Sequence, residues 1–137
     1  MERATRDEAR RWIAEAEKDL KDAEMLLRYE SYYPLCRLAY LASEKAMRGV
    51  LLAKGQHVAD QLTLASLSQQ VEAIEPGLGS LVTSLRPLER FQPLSPPAEP
   101  HEGMCPPPLY GRESAKEALA LAEQAVTAAK RSFIDTT

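Results

Sequence analysis

The stretch WIAEAEKDLKDAEMLLRYESYYPLCRLAYLASEKAMRGVLLAKG, residues 12–55, decides the fold of this 137-residue chain. Its first half places apolar residues at steps of three and four, which predicts one long amphipathic helix at about 6–29. Those residues are Trp12, Ala16, Leu20, Ala23 and Leu27. A second apolar and alanine-rich stripe runs from Leu35 to Ala53 and ends before Gly55, which suits a left-handed helix end. The turn YESYYP separates the two, and Pro34 suits the start of a helix at about 34–54.

Two further helical blocks follow this predicted hairpin. One begins near Asp60, a good N-cap, and spans about 61–75 before the sequence EPGLGS breaks it. The other spans about 112–133 and is rich in alanine. Thr5 to Glu8 and Ser114 to Glu117 have the spacing of capping boxes. Since no alternating strand pattern of convincing length occurs, the predicted fold is all-α, one antiparallel up-and-down bundle of four to five helices over residues 1–137.

A proline-rich loop is predicted at about 92–108, because seven of the ten prolines lie between Phe91 and Leu109. Connections of this length without regular structure are uncommon in compact domains unless they are functional or disordered. One interpretation is a semi-rigid strap that covers apolar surface. The other is a binding site, because the flanking residues Arg86, Arg90, Tyr110 and Arg112 offer guanidinium groups for phosphate and a ring for stacking on a base.

Charge and hydropathy exclude several classes of protein. The net charge is −3, so no overall positive field favours DNA binding. No run approaches the roughly 20 apolar residues of a membrane span. The charged N-terminal segment does not resemble a signal peptide, which predicts a cytoplasmic protein with reduced cysteines.

The pattern of these residues resembles that of HEPN domains. Their opening hairpin has an aromatic, an alanine, Asp-Leu and another alanine, then a tyrosine-containing turn, an alanine-rich helix with Glu-Lys-Ala, and a glycine. The matching residues here are Trp12, Ala16, Asp19, Leu20, Ala23, Tyr33, Ala39, Glu44, Lys45, Ala46 and Gly55. RFQP is similar to the family's Arg-Tyr-Pro element, and LYGRESAKEALALAEQAV to its closing helix. The resemblance covers about residues 12–133.

The resemblance implies a homodimer and a role beside a minimal nucleotidyltransferase, in toxin–antitoxin or nucleotide-handling systems. It also places Glu44, Lys45 and Arg48 near a partner-facing groove, whereas the spacing alone indicates an i,i+4 pair between Glu44 and Arg48. Some members of the family are metal-independent ribonucleases that use an arginine and a histidine separated by about four to six residues. Others lack this motif and bind nucleotides or only a partner.

The ribonuclease spacing is absent from this chain. Eight residues separate Arg48 from His57, and ten separate Arg90 from His101. Both groups of a catalytic pair must reach one phosphodiester, so Arg90 and His101 remain candidates only if the loop folds back. His101 and Cys105 are two ligands, which falls short of a zinc set, and no metal or cofactor is predicted.

Three hypotheses follow. The first is a binding and interaction module that docks a nucleotidyltransferase and binds a nucleotide or RNA phosphate at Arg86, Arg90, Tyr110 and Arg112. The second is an RNA-cleaving toxin that uses Arg90 and His101. The third is a structural helical adaptor without a ligand.

Overall fold

The computed structural model describes residues 3–92 and 111–136, with side chains from 5 to 92 and from 111 to 134. These residues form five α-helices and two 3-10 helices, with no strand among them. The α-helices are α1 (Arg3–Arg28), α2 (Tyr32–Ala53), α3 (Leu64–Ile74), α4 (Gly79–Ser84) and α5 (Arg112–Thr136). The 3-10 helices are Pro76–Leu78 and Arg86–Phe91. The predicted all-α class is confirmed. Most of the predicted proline-rich loop, together with His101 and Tyr110, lies outside the described residues.

A tight turn joins α1 to α2 as an antiparallel hairpin. Ser31 N–H donates to Leu26 O at 2.9 Å and Glu30 N–H donates to Leu27 O at 3.1 Å, the two bonds of a Schellman helix end. Glu30 takes the left-handed position with φ 56°, where glycine is more usual. Pro34 lies in the first turn of α2 but not at its first residue, because α2 begins at Tyr32; its missing N–H still costs no helical hydrogen bond.

The buried stripe of α1 is rotated from the predicted one. Trp12, Leu20 and Leu27 are only half-buried, whereas Ala9, Ile13, Ala16 and Ala23 are buried. Small side chains occupy the line of closest contact with α2, and the bulky ones lie along its edges. The stripe of α2 is buried as expected and includes Leu35, Ala39, Ala42, Ala46, Val50 and Ala53.

The chain then returns along α2 before α3 begins. Thr63 caps α3, since its side chain accepts a hydrogen bond from Ser66 N–H at 3.2 Å, so the predicted cap at Asp60 is wrong. The predicted capping boxes also fail, because α1 starts at Arg3 and α5 at Arg112, which places Thr5 and Ser114 inside helices. Helix α3 starts beside Tyr40 and ends near Lys54, which pairs with Glu75 at 3.2 Å.

Helix α5 closes the bundle against α1 and α2. Its C-terminal part lies beside the start of α1, because Lys130 pairs with Glu17 at 3.4 Å and the Arg6 guanidinium lies 4.6 Å from the Phe133 ring centre. Helix α5 is therefore antiparallel to α1 and runs in the same direction as α2. Among the described residues, no helix is apolar over the length that crossing a membrane requires.

Candidate functional site

A row of polar side chains, spaced four residues apart, follows the face of α2 that the α2–α3 connection covers. Arg48 is buried, and its two terminal nitrogens donate to Ala59 O at 2.7 Å and Asp60 O at 3.2 Å. Its guanidinium carbon also lies 5.2 Å from the centre of the Trp12 ring. A buried guanidinium stays charged and needs acceptors, so these contacts hold the connection against α2.

Tyr40 and Glu44 continue this row towards the start of α2. Leu64 N–H donates to Tyr40 Oη at 3.0 Å, and the Tyr40 side chain is also hydrogen-bonded to Glu44. Burial raises the pKa of Glu44 above its ordinary value, although Arg48, the Tyr40 hydrogen bond and Lys45 act in the opposite direction. Burial is also the main cause of the raised pKa of Tyr40. The row therefore links α2 to the start of α3 through partly desolvated groups.

Lys45 lies on the same edge of the hairpin as the contact between Arg48 and Trp12, and it faces α1. Its Nζ lies 2.8 Å from Asp19 Oδ2 and 4.0 Å from Glu15 Oε2. Close by, a shallow groove of about 480 Å³ runs along α1, lined by Glu8, Arg11, Trp12, Ala14 and Glu15. Glu44, Lys45 and Arg48 thus have contacts within the chain, and their predicted role in binding a partner stays a prediction.

A second group of side chains collects at one end of the bundle. This end, called the turn end below, comprises residues 28–37, the second 3-10 helix and the first turn of α5. Arg86, Arg90 and Arg112 are exposed there. The Arg90 guanidinium carbon lies 4.7 Å from the Phe91 ring centre, and its charge acts on the buried Cys36 thiol. The second 3-10 helix therefore lies against the first turns of α2 and also contacts α5.

The turn end also exposes aromatic residues that the sequence analysis did not assign to a site. Tyr29 is 74% exposed and Tyr33 37%, and the Arg37 guanidinium carbon lies 5.7 Å from the Tyr33 ring centre. Met25, in α1 just before this end, is 47% exposed. These are three of the four large apolar residues that are exposed in the described part of the chain. The signal was present in RYESYYP, residues 28–34, where tyrosines alternate with polar groups beside an arginine.

Comparison with sequence families identifies the chain. The model of the HEPN domain matches residues 9–132. The chain belongs to the HEPN domain family. No curated protein sequence matches it significantly.

Solved structures with the same HEPN fold agree with this assignment. The crystal structure of TT1696 from Thermus thermophilus has a TM-score of 0.73 and 28% identity, over 90% of this chain and 97% of that one. The crystal structure of ST0689, an archaeal HEPN homologue, has a TM-score of 0.68 and 21% identity, over 97% and 99% of the two chains. The second likeness shows the fold alone.

For a HEPN chain, the decisive chemical question is whether an arginine and a histidine converge. His57 is exposed in the α2–α3 connection, at the C-terminal end of α2. Arg90 lies near Cys36 at the opposite end, and the 17 residues from Cys36 to Ala53 span about 26 Å along α2 at 1.5 Å per residue. The structure therefore separates His57 from Arg90, and the nearer arginine in sequence, Arg48, has its nitrogens on carbonyl oxygens. His101 lies outside the described residues, and within these no three metal-binding side chains form a cluster.

Proposed function

We propose that this HEPN-family protein is a binding and interaction module. It acts as a homodimer that docks a minimal nucleotidyltransferase, and it holds a nucleotide or RNA phosphate at the turn end. The arrangement that supports this proposal best is the combination of exposed arginines and exposed tyrosine rings at that end. The described residues assigned to the ligand are Arg37, Arg86, Arg90 and Arg112, together with Tyr29 and Tyr33. Tyr110, which the sequence analysis added to this set, lies outside the described residues.

Guanidinium groups and aromatic rings act on different parts of a nucleotide. A guanidinium donates paired hydrogen bonds to phosphate oxygens, and a tyrosine ring offers a face on which a base stacks. At the turn end Arg37 lies over Tyr33 and Arg90 over Phe91, so each guanidinium is held beside a ring. Such stacking limits the freedom of a long side chain before any ligand arrives.

The charge at the turn end is local and not part of a basic surface. Glu30, Glu89 and Glu113 lie among the arginines, and the chain as a whole carries −3. We therefore expect the site to contact only one or a few phosphates. Binding should then depend only modestly on salt concentration.

Binding to RNA tests the ligand part of the proposal. We expect the anisotropy of a fluorescein-labelled, single-stranded RNA oligonucleotide to rise on titration with the protein. Arg90→Gln and Arg37→Gln should each weaken binding by about fivefold or more, because each removes one paired phosphate contact. Arg11→Gln is the matched control, since Arg11 is exposed on α1 away from the turn end. Equal binding by all four proteins would contradict the assignment.

Tyr29 separates stacking from charge in the same assay. Tyr29→Ala should weaken binding while Tyr29→Phe should not, because the ring and not the hydroxyl supplies the stacking face. Loss of a stacked base costs about 1–3 kcal/mol. If both variants bind as well as the unchanged protein, the ring has no part in binding.

The ribonuclease hypothesis is examined in the same samples. We expect the RNA to remain intact on a denaturing gel in the presence of protein and absence of metal. Cleavage that disappears in His101→Ala would replace the binding function with the second hypothesis, an RNA-cleaving toxin. Absence of RNA binding together with absence of a partner would leave the structural adaptor.

The partner is tested by co-expression with a minimal nucleotidyltransferase encoded beside the gene. Support for the proposal is one complex of defined stoichiometry on size-exclusion chromatography, weakened by Lys45→Glu. Lys45 already pairs with Asp19, so Asp19→Asn is the control that loosens this pair without reversing a charge. Separate elution of the two proteins would remove this partner from the function.

A further inference from the structure

The outward face of α5 has no covering element in the described part of the chain. Its inward face packs alanines into the core: Ala115, Ala118, Ala122, Ala125 and Ala129. Its outward face carries a shallow groove of about 460 Å³, lined by Ala120, Glu123, Gln124, Thr127, Ala128 and Arg131. The residues at 116, 120, 123, 127, 131 and 134 are all exposed and follow one stripe.

This stripe is symmetric in a way that suits self-association. Ala120 and Ile134 lie seven residues before and after Thr127, and Glu123 and Arg131 lie four before and after it. Seven residues are close to two helical turns, so Ala120, Thr127 and Ile134 share one line along the helix. Ile134 is 66% exposed, although it is the largest apolar side chain of this line.

We propose that α5 packs against α5 of a second copy of the chain, antiparallel, with the two-fold axis at Thr127. The inference rests on the homodimer part of the proposed function and assigns its surface. In this arrangement each residue faces the one at an equal distance on the other side of the axis. Glu123 then faces Arg131 of the second copy, and Ala120 faces Ile134, each pair formed twice by symmetry.

The sizes of these side chains permit close contact between the helices. Alanine and threonine at the axis allow an interaxial distance of about 8–9 Å, at the short end of the usual range. The Ile134 side chain, which is exposed in one copy, fills the space above the small Ala120 of the other. Two apolar contacts and two ion pairs thus flank a central Thr127 contact.

The charges select this register over its neighbours. With the axis at Ala120, Glu117 would face Glu123, and in a parallel pair Glu123 would face Glu123 and Arg131 would face Arg131. Like charges across an interface are destabilising, so these alternatives are disfavoured. Of the stripe positions, only Thr127 as the axis sets Glu123 opposite Arg131, whereas an axis at Glu123 or at Arg131 would place that charge against itself.

Charge reversal tests the register. Sedimentation equilibrium should show that the unchanged protein dimerises and that Glu123→Arg and Arg131→Glu each weaken the dimer by about tenfold, or about 1.4 kcal/mol. The double variant Glu123→Arg with Arg131→Glu should recover most of this loss, because the pairs are restored with exchanged signs. Since both positions are exposed, circular dichroism should show the same helix content in all variants.

A disulfide at the axis gives a second, independent readout. Thr127→Cys, in a background with Cys105→Ser, should form an intermolecular disulfide under mild oxidation, because only a residue on the axis faces itself. Gln69→Cys is the control, since Gln69 is exposed on α3 far from this face. Cys36 is buried and remains unchanged in both.

The results separate this inference from the proposed function. The α5 interface would be overturned, but the homodimer kept, if neither charge reversal weakened the dimer and Thr127→Cys formed no intermolecular disulfide. A protein that stays monomeric at every concentration would overturn the homodimer itself. Binding of RNA at the turn end does not depend on either outcome, because that end contains none of the substituted residues.

Discussion

Gly49 sets how closely α1 and α2 approach each other. A Cβ atom at this position would lie 2.6 Å from Ile13 Cγ1, closer than such atoms normally come. Ile13 is itself buried, and its Cγ1 is near the root of the side chain, so it has little freedom to move away. The absence of a side chain at one residue thus allows the alanine-lined contact of the whole hairpin.

Gly49→Ala is expected to destabilise the protein although alanine favours helix. The gain in helix propensity is about 1 kcal/mol, whereas overpacking of a core contact costs about 1–3 kcal/mol. The net loss in the free energy of unfolding should be about 1 kcal/mol, measured by urea denaturation.

Gly79→Ala is the matched control for this substitution. Gly79 has helical angles, and its added Cβ would meet Glu72 Oε1 at an ordinary 3.5 Å. It should leave stability unchanged or raise it. If Gly49→Ala and Gly79→Ala change the free energy of unfolding equally, close packing at Gly49 does not contribute to stability.

Glu44 is expected to make stability depend on pH in the direction opposite to a salt-bridged carboxylate. Because burial raises its pKa in the folded state, folding favours the protonated acid, and this contribution is lost as the pH rises from the ordinary value of 4.5 through the folded pKa. Glu44→Gln should therefore gain stability relative to the unchanged protein as the pH rises through this window.

The measurement is urea denaturation of both proteins at a series of pH values. Glu24→Gln controls for the general effect of removing one acidic charge, since Glu24 is exposed on α1. If Glu44→Gln instead loses stability relative to the unchanged protein as the pH rises, the attraction of the Arg48 charge outweighs burial.

At the scale of elements, the start of α3 depends on the segment that precedes it. Residues 54–63 return along α2, held where Arg48 donates to the carbonyls of Ala59 and Asp60. This path brings Thr63 to the cap position and leaves Leu64 N–H pointing at Tyr40 Oη. Asp60 contributes a carbonyl to the connection, and its side chain is not the cap that its residue type suggested.

Thr63→Ala should therefore cost about 1 kcal/mol of stability, because an N-cap hydroxyl satisfies one free amide of the first turn. Asp60→Ala should change stability by less than about 0.5 kcal/mol, as for most exposed positions. Thr63→Ser keeps the hydroxyl, so its stability should be close to that of the unchanged protein. Thermal denaturation of the three variants compares the two positions directly, and a larger effect at Asp60 would reverse the assignment of the cap.

At the scale of the whole molecule, the second 3-10 helix closes the core over the start of α2. Leu88 and Phe91 are buried, and the Cys36 thiol beneath this region is fully buried. Burial raises the pKa of Cys36 to about 11, with a smaller opposing effect from the Arg90 charge. At pH 7 this cysteine is therefore in the protonated thiol form, which is a poor nucleophile.

Alkylation of Cys36 is expected to report on opening of the bundle. In a Cys105→Ser background, iodoacetamide should label the native protein far more slowly than the exposed Gln69→Cys control, and labelling should accelerate with urea as the molecule unfolds. Mass spectrometry measures both rates. Labelling of native Cys36 at the control's rate would mean that the second 3-10 helix opens without global unfolding.

Much of this structure is encoded in local patterns. The hairpin of α1 and α2 and the helix at α5 follow from a 3.6-residue period that each segment carries by itself. The motif residues that resemble the HEPN family lie in the same segments, and the family assignment is confirmed. The mismatch of the Arg–His spacing is likewise a property of sequence alone.

Other features depend on residues distant in the sequence, and only the tertiary structure decided them. A periodic stripe does not tell which of its residues face the neighbouring helix. The sequence therefore predicts that Trp12 faces α2, whereas in the structure Ala9 and Ile13 are buried and Trp12 is only half-buried. Arg48 reads as an exposed partner of Glu44 until the connection 54–63 folds over it and supplies two carbonyl acceptors. Arg37 and Arg90 lie at the same end of the bundle because the second 3-10 helix packs against the start of α2, and the direction of α5 depends on the same packing. Helical period is a short-range property, whereas burial and convergence of side chains come from contacts that form only when the whole chain folds.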